Sequence, residues 1–415
     1  MNTRFMTALL AILLLILIAG AVLLTTPRLR EVSRGGESSV SSATSISSSS
    51  STYSVAHSTS SSSSARPVAS TSPSLPFLSV PEGFSIDVFA KGLPNARVMV
   101  QDAFGNFWLS RPSDNAVTLL TVQEGQVVKH HDVFRDLRRP HGLAIDHQNG
   151  LDLYIVEEHR IVRARLYSDA PLEEVATLPG VGRHWTRTLG FGPDDRLYIS
   201  IGSTCDVCNE EDDRHGTIMS MNRDGSDLHT VAMGLRNAVF FTWSYVDGRM
   251  WATEMGRDHV GDDLPPDEVN LIEEGKHYGW PYCYGKQIRD TRFNAWEEFD
   301  CSKTEPSKVD LQAHVAPLGL AFIPEEGWPE EYWYDLLVAE HGSWNRSTLV
   351  GYRISRIPLD ANGNQEGPVQ PFISGWLDGA IKHGRPVGLL AEPGGILYIT
   401  DDFSGRVYRM TRSAQ

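Results

Sequence analysis

The chain has 415 residues, 41% of them hydrophobic, enough to bury a large core. It carries 37 Lys and Arg against 52 Asp and Glu, a formal net charge of −15. That balance argues against nucleic acid and anionic membrane surfaces as partners, so any anionic ligand needs a local basic pocket.

Residues 5–26, FMTALLAILLLILIAGAVLLTT, carry no charge. A helix of that length crosses a bilayer core of about 30 Å. The run is longer than the ~7–15 residue core of a signal peptide, and IAGA at 18–21 lies inside it, so an uncleaved anchor is preferred over a cleaved signal. Arg4 precedes the run while Arg28, Arg30 and Arg34 follow it. Taken alone, the positive-inside rule would keep the following body in the cytoplasm. Residues 37–75 are mostly Ser with Thr, Ala and Pro. Such a segment cannot bury enough apolar surface to offset its ordering entropy and reads as a disordered tether. The expected organisation is an anchor or signal segment over 1–27, a linker over 28–75 and a folded body over 76–415.

Within the body one phrase recurs, a Gly or Asp turn followed by a short apolar and aromatic strand. It appears as AFGNFWLS at 103, QNGLDLYIVEE at 148, GPDDRLYISIG at 192, VDGRMWATEMG at 246, EYWYDLLVAEHG at 331 and EPGGILYITDD at 392. Helical periodicity is nearly absent, and the early spacing of about 45 residues is too short for a stack of sandwiches. Six units of this length predict an all-β, six-bladed β-propeller. Loops from every blade would converge on its axis.

Four cysteines, at 205, 208, 283 and 301, suit two disulfides, Cys205–Cys208 and Cys283–Cys301. A zinc site built on CDVC lacks its fourth ligand. Disulfides place the body outside the cytoplasm despite the arginines after the anchor.

Basic and imidazole groups cluster at the predicted blade ends: His184 with Arg187, Arg236 with Asn237, His341 with Arg346, and Lys382 with His383 and Arg385. Each Arg taken alone reads as an inter-blade ion pair; together they could form a cup for a polyanion, because a guanidinium matches carboxylates. Beside them, TEMGRDHVGDDLPPDEVNLI at 253–272 packs six carboxylates into fifteen residues. It does not match an EF-hand, although Gly256 permits close backbone approach and Ca²⁺ accepts carbonyl as well as carboxylate oxygens.

GLRNAVFF, TEMGRDHVGDDLPPDEVNLIEEGKHYGWPYCYG, LLVAEHGSWNRS and GRPVGLLAEPGG together resemble the glucose and sorbosone dehydrogenase family, leaning to its sorbosone and pyranose branch. The resemblance spans essentially 76–412. It implies a six-bladed propeller that oxidises a sugar with pyrroloquinoline quinone (PQQ) and calcium, passing electrons to an acceptor it does not identify. It also implies His184 as catalytic base, with Arg236 and Asn237 at the quinone. The carbonyls of Gly256 and Arg257 would hold the catalytic Ca²⁺, while Glu268 and the Tyr278 carbonyl would serve a second, structural ion. Arg385 would clamp a cofactor carboxylate. The family's clamping Lys is absent, leaving Arg346 or His341 in its place, and a second clamp Arg is replaced near Lys382 or His383. Trp185 and Thr186 depart from the glucose enzyme, which leaves the sugar open. The anchor then predicts a membrane-tethered enzyme with its catalytic body in the periplasm or at the cell exterior. Two other classes compete, a calcium-dependent lactonase-type hydrolase on the same architecture and a non-catalytic propeller scaffold.

Overall fold

Each repeated phrase becomes the second strand of an antiparallel sheet, four-stranded in five blades and extended in the third by a parallel fifth strand, Lys276–His277. The computed structural model describes residues 70–72, 75–180, 182–293 and 298–413. The expected anchor over 1–27 and most of the Ser-rich linker lie outside the described residues. Among the described residues no helix is long and apolar enough to cross a membrane.

The six second strands are Phe107–Arg111, Asp152–Val156, Leu197–Ile201, Met250–Glu254, Leu336–Glu340 and Ile396–Asp401. Each pairs on one side with an inner strand: Met99–Gln101, Leu143–Ile145, Arg187–Phe191, Phe241–Trp243, Pro317–Phe322 and Pro386–Glu392. The inner strands touch one another in cyclic order, which closes the ring of six blades. Glycine allows this crowding: a Cβ on Gly142 would lie 2.5 Å from the Leu189 amide nitrogen, and one on Gly319 would lie 2.4 Å from the Val387 carbonyl oxygen. Along the axis they leave a narrow cavity of about 170 Å³, with Leu143, Leu189, Phe240 and Leu320 in its wall.

The acid that begins several of the phrases has a local task. Asp102 Oδ1 accepts from the amides of Phe104 (2.9 Å) and Asn106 (3.0 Å), and its Oδ2 accepts from Trp108 Nε1 (2.9 Å). Asp146 and Asp194 cap the equivalent turns through the amides of Gln148 and Arg196. An Asp side chain that mimics a backbone turn thus launches a strand of core residues. Leu336–Glu340 is buried throughout. Burying each such aliphatic side chain contributes about 1.5–3 kcal/mol.

The last blade is completed from the other end of the chain. Phe84–Lys91 pairs antiparallel with Arg406–Arg412, so the edge of that sheet is covered. The ordered chain also starts earlier than the expected linker boundary: Ser70–Ser72 pairs with Leu75–Val80, and Ser79 bridges to Ser374. Backbone pairing there overrides a Ser-rich composition. Both disulfides are present, Cys205–Cys208 in the blade-three connection and Cys283–Cys301 in the blade-four insertion. No cysteine is left free.

Candidate active site

The segments leading into the six inner strands carry Arg97, His141, Arg187, Arg236, His314 and Arg385 at or just before the strand. Ring closure therefore gathers basic and imidazole groups at one end of the axis in an otherwise acidic protein. Arg97 donates from Nε to His141 Nε2 (3.3 Å) and from Nη1 to Asp402 (2.9 Å). Arg187 is fully buried and donates to the His184 carbonyl (2.9 Å). Burial brings its guanidinium down to about 10.

A cavity of about 200 Å³ opens at this end. Arg183, His184, Arg236, Asp258, Trp344 and Asn345 line it, together with Gly256, Asp267 and His314. His184 Nδ1 lies 2.8 Å from Ser203 Oγ and 3.1 Å from the Ser203 carbonyl. The Ser203 hydroxyl donates to the Cys205 carbonyl (2.8 Å), so its oxygen accepts from the imidazole. That chain places the ring proton on Nδ1 and leaves Nε2 with its lone pair. Burial, with Arg236 and Arg183 nearby, brings the imidazole down to about 3 and keeps it neutral.

Arg236 is nearly buried and its fork is committed. Nε donates to the Asp206 carbonyl (2.9 Å), Nη1 to the Met255 carbonyl (3.2 Å), and Nη2 to Asp206 Oδ1 (2.7 Å) and Asp258 Oδ2 (3.1 Å). Burial pushes the Asp206 carboxyl up, but the Asp258 amide and the Arg236 guanidinium hold it below the usual carboxylate range. Asp267 is buried and accepts from the amides of Gly256 and Ala316, both at 2.8 Å. Burial outweighs these contacts and raises it to about 7.

A smaller cavity of about 30 Å³ adjoins the first, sharing Arg236 and Gly256 and lined also by Glu254, Glu268 and Tyr278. Glu254 and Glu268 are buried partners across neighbouring strands. Burial raises both carboxyls, and Glu268 adds to the rise at Glu254. Glu254 Oε1 accepts from the Asn237 amide (2.9 Å), while among the described residues its buried Oε2 has no hydrogen-bond partner. Glu268 accepts from the Gly285 amide (2.6 Å) and from Asn270 (3.0 Å). Among the described residues, none donates a hydrogen bond to the carbonyls of Gly256, Arg257 or Tyr278. Free carbonyls and an unpartnered carboxylate oxygen are a donor set that a hard cation takes.

Of the residues expected from sequence, His184, Arg236 and Gly256 meet at the larger cavity, and Arg257, Glu268 and Tyr278 meet at the smaller one. Asn237 backs them through its side-chain contact with Met255 Sδ (3.4 Å). The proposed clamps lie apart from both linings. His341 is buried against Asp402 (2.9 Å), and burial outweighs that carboxylate to bring it down to about 4. Arg385 donates to the carbonyls of His341 (3.0 Å) and Gly342 (2.6 Å), and both Arg385 and Lys382 sit over the Tyr352 ring. Arg346 is tied to Asp262 and Asp263 and to the Ala313 carbonyl. The cavity supplies instead Arg183, Asp258, Asn345 and Trp344, with Ser203 and Asp206 behind them. The polar run GSTCD after the third repeated strand was the signal for the last two.

Fold and site together define a six-bladed propeller with a cation-lined axial cavity. The chain belongs to the TrAA12-like family, which matches residues 78–413. An uncharacterized protein from Borreliella burgdorferi is 30% identical over 349 residues, covering 80% of this chain and 90% of that one. Among solved structures, a Trichoderma reesei carbohydrate-active enzyme of family AA12 superposes with a TM-score of 0.70 at 22% identity, over 80% of this chain and 97% of that one. The holo form of the pyranose dehydrogenase PQQ domain from Coprinopsis cinerea gives 0.70 at 20% identity, over 81% and 97%.

Proposed function

We propose that this chain is a quinoprotein sugar dehydrogenase using PQQ and calcium. The observation that carries the reading is His184, held neutral with Nε2 bare in a cavity that also presents Arg183 and Arg236. Support comes from membership of the TrAA12-like family and from a fold shared with a pyranose dehydrogenase PQQ domain. Basic groups at the blade heads suit a polyanionic cofactor better than they suit the hydrolase reading, which calls for axial carboxylates and Asn.

When bound, PQQ supplies a hydride acceptor and Ca²⁺ supplies Lewis acidity. The protein's part is to bind, orient and move a proton. Arg183, Arg236 and Asn345 would hold cofactor carboxylates, and the carbonyls of Gly256 and Arg257 would hold the cation. Glu268, the Tyr278 carbonyl and Glu254 Oε2 suit a second ion. His184 Nε2 takes the proton from the sugar hydroxyl, a role worth about 10²–10⁴-fold in rate. Arg236 would stabilise negative charge on the reduced cofactor. Trp344, 59% exposed at the rim, offers a flat face to a pyranose ring. The reading extends to a body outside the cytoplasm on an N-terminal anchor, supported by the uncharged run at 5–26 and by two disulfides. Titration of the purified chain with PQQ in Ca²⁺, followed by dye reduction with a panel of aldoses and ketoses, tests it. No PQQ binding together with no turnover of any sugar sinks the proposal.

A further inference from the structure

Asp258 is a mostly buried carboxylate in the wall of the larger cavity, and the protein itself supplies its ligands. Its Oδ2 accepts from Arg183 Nη2 (2.6 Å) and Arg236 Nη2 (3.1 Å), and its Oδ1 accepts from Asn345 Nδ2 (2.8 Å). These donors arrive from three blades: the approach to blade three, the approach to blade four and the connection after the second strand of blade five. Asp206 holds the Asp258 amide (2.9 Å) and also takes Arg236 (2.7 Å). Two arginines therefore face two carboxylates before any ligand arrives. Asn345 Nδ2 is also 3.3 Å from His314 Nδ1, which accepts from it because His314 Nε2 is engaged with the Gly261 carbonyl (2.8 Å).

Resting on the reading of the site as a quinone and calcium site, we infer that Asp258 is an internal stand-in for a cofactor carboxylate and makes cofactor binding depend on the divalent cation. The donors that hold Asp258 are those a planar polycarboxylate would need. With Asp258 in place, a tricarboxylate meets a neutralised fork and a like charge at close range. Asp258 directly follows Arg257, whose carbonyl is one of the two assigned to the cation. A cation there offsets the carboxylate and draws it from Arg183 and Arg236, which turns the arginine pair to the cofactor. Cation and cofactor then raise each other's affinity by the same factor, as linkage requires.

The test is equilibrium binding of PQQ to the purified full-length chain, read by quenching of tryptophan fluorescence, in Ca²⁺ and in EGTA. The wild type is expected to lose at least tenfold in affinity without Ca²⁺. Asp258→Asn keeps one acceptor oxygen for Arg183 and Arg236 but removes the charge, and is expected to lose less than threefold and to bind at least tenfold more tightly than wild type in EGTA. Asp258→Asn that weakens binding by the same factor in both buffers overturns the inference, because Asp258 then only braces the arginines. Calcium binding to the wild type, measured by calorimetry with and without PQQ, gives an independent check if the variant does not fold. Equal calcium affinity in the two titrations overturns the inference on its own. Failure of the wild type to bind PQQ even in excess Ca²⁺ overturns the proposed function and this inference with it.

Discussion

A histidine serves as a base near neutrality only while one nitrogen stays bare, and His184 owes that state to its neighbours. Ser203 Oγ accepts the Nδ1–H hydrogen bond, and the buried surroundings with Arg183 and Arg236 suppress protonation down to about 3. His184→Ala is expected to keep PQQ affinity within about threefold while turnover falls about 10²–10⁴-fold. Retained turnover with lost binding would reassign the residue. Trp344→Ala is expected to raise the KM for a pyranose about tenfold with kcat little changed, since a stacking face adds binding common to ground and transition states. His184 and Arg236 were legible in sequence because they sit in specific motifs. Arg183 and Asp258 were not, because what defines them is a partner: Asp258 lies 75 residues from the arginine it binds. His341 and Arg385 showed the right chemical type, but the Asp402 carboxylate takes the His341 hydrogen bond and backbone carbonyls take those of Arg385.

At the scale of elements, the loop closed by Cys205–Cys208 anchors the site through Cys205 and Asp206. Its Cys205 carbonyl fixes the Ser203 hydroxyl, its Asp206 side chain holds Arg236, and the Asp206 carbonyl accepts from both Arg236 and Trp280 (3.3 Å). Replacing both cysteines by Ser is expected to weaken PQQ binding about tenfold or more, the effect of losing one charged hydrogen bond worth about 1.5–3 kcal/mol. Isothermal titration of the double variant measures it, and unchanged affinity would show that the loop holds its shape without the bridge. The blades themselves could be read from the recurring turn and strand, because the capping Asp and the buried run are local signals. The pairing of Ser70–Ser72 could not, because it depends on which backbone comes alongside.

For the molecule as a whole, stability depends on closing the ring and on keeping buried imidazoles neutral. His341 has its folded value brought down to about 4 by burial, against about 6.5 in the unfolded chain. Between those values the unfolded state binds more protons, so stability falls as pH drops from about 6.5 towards 4 and is fully present above that window. His341→Gln should flatten that part of a plot of melting temperature against pH. Removing the closing strand Phe84–Lys91 exposes the edge at Arg406–Arg412. The truncated chain is expected to lose its cooperative thermal transition and aggregate, as light scattering would record.

That closing contact also sets a clock for synthesis. Ser85 and Thr411 meet across the last blade although 326 residues separate them. At the usual elongation rate of about 5–20 residues per second, the early strand waits roughly 15–65 seconds for its partner. The ring therefore cannot close while most of the chain is being made. The nascent protein must pass that interval with an open sheet edge, a state suited to chaperones that shield unpaired strands.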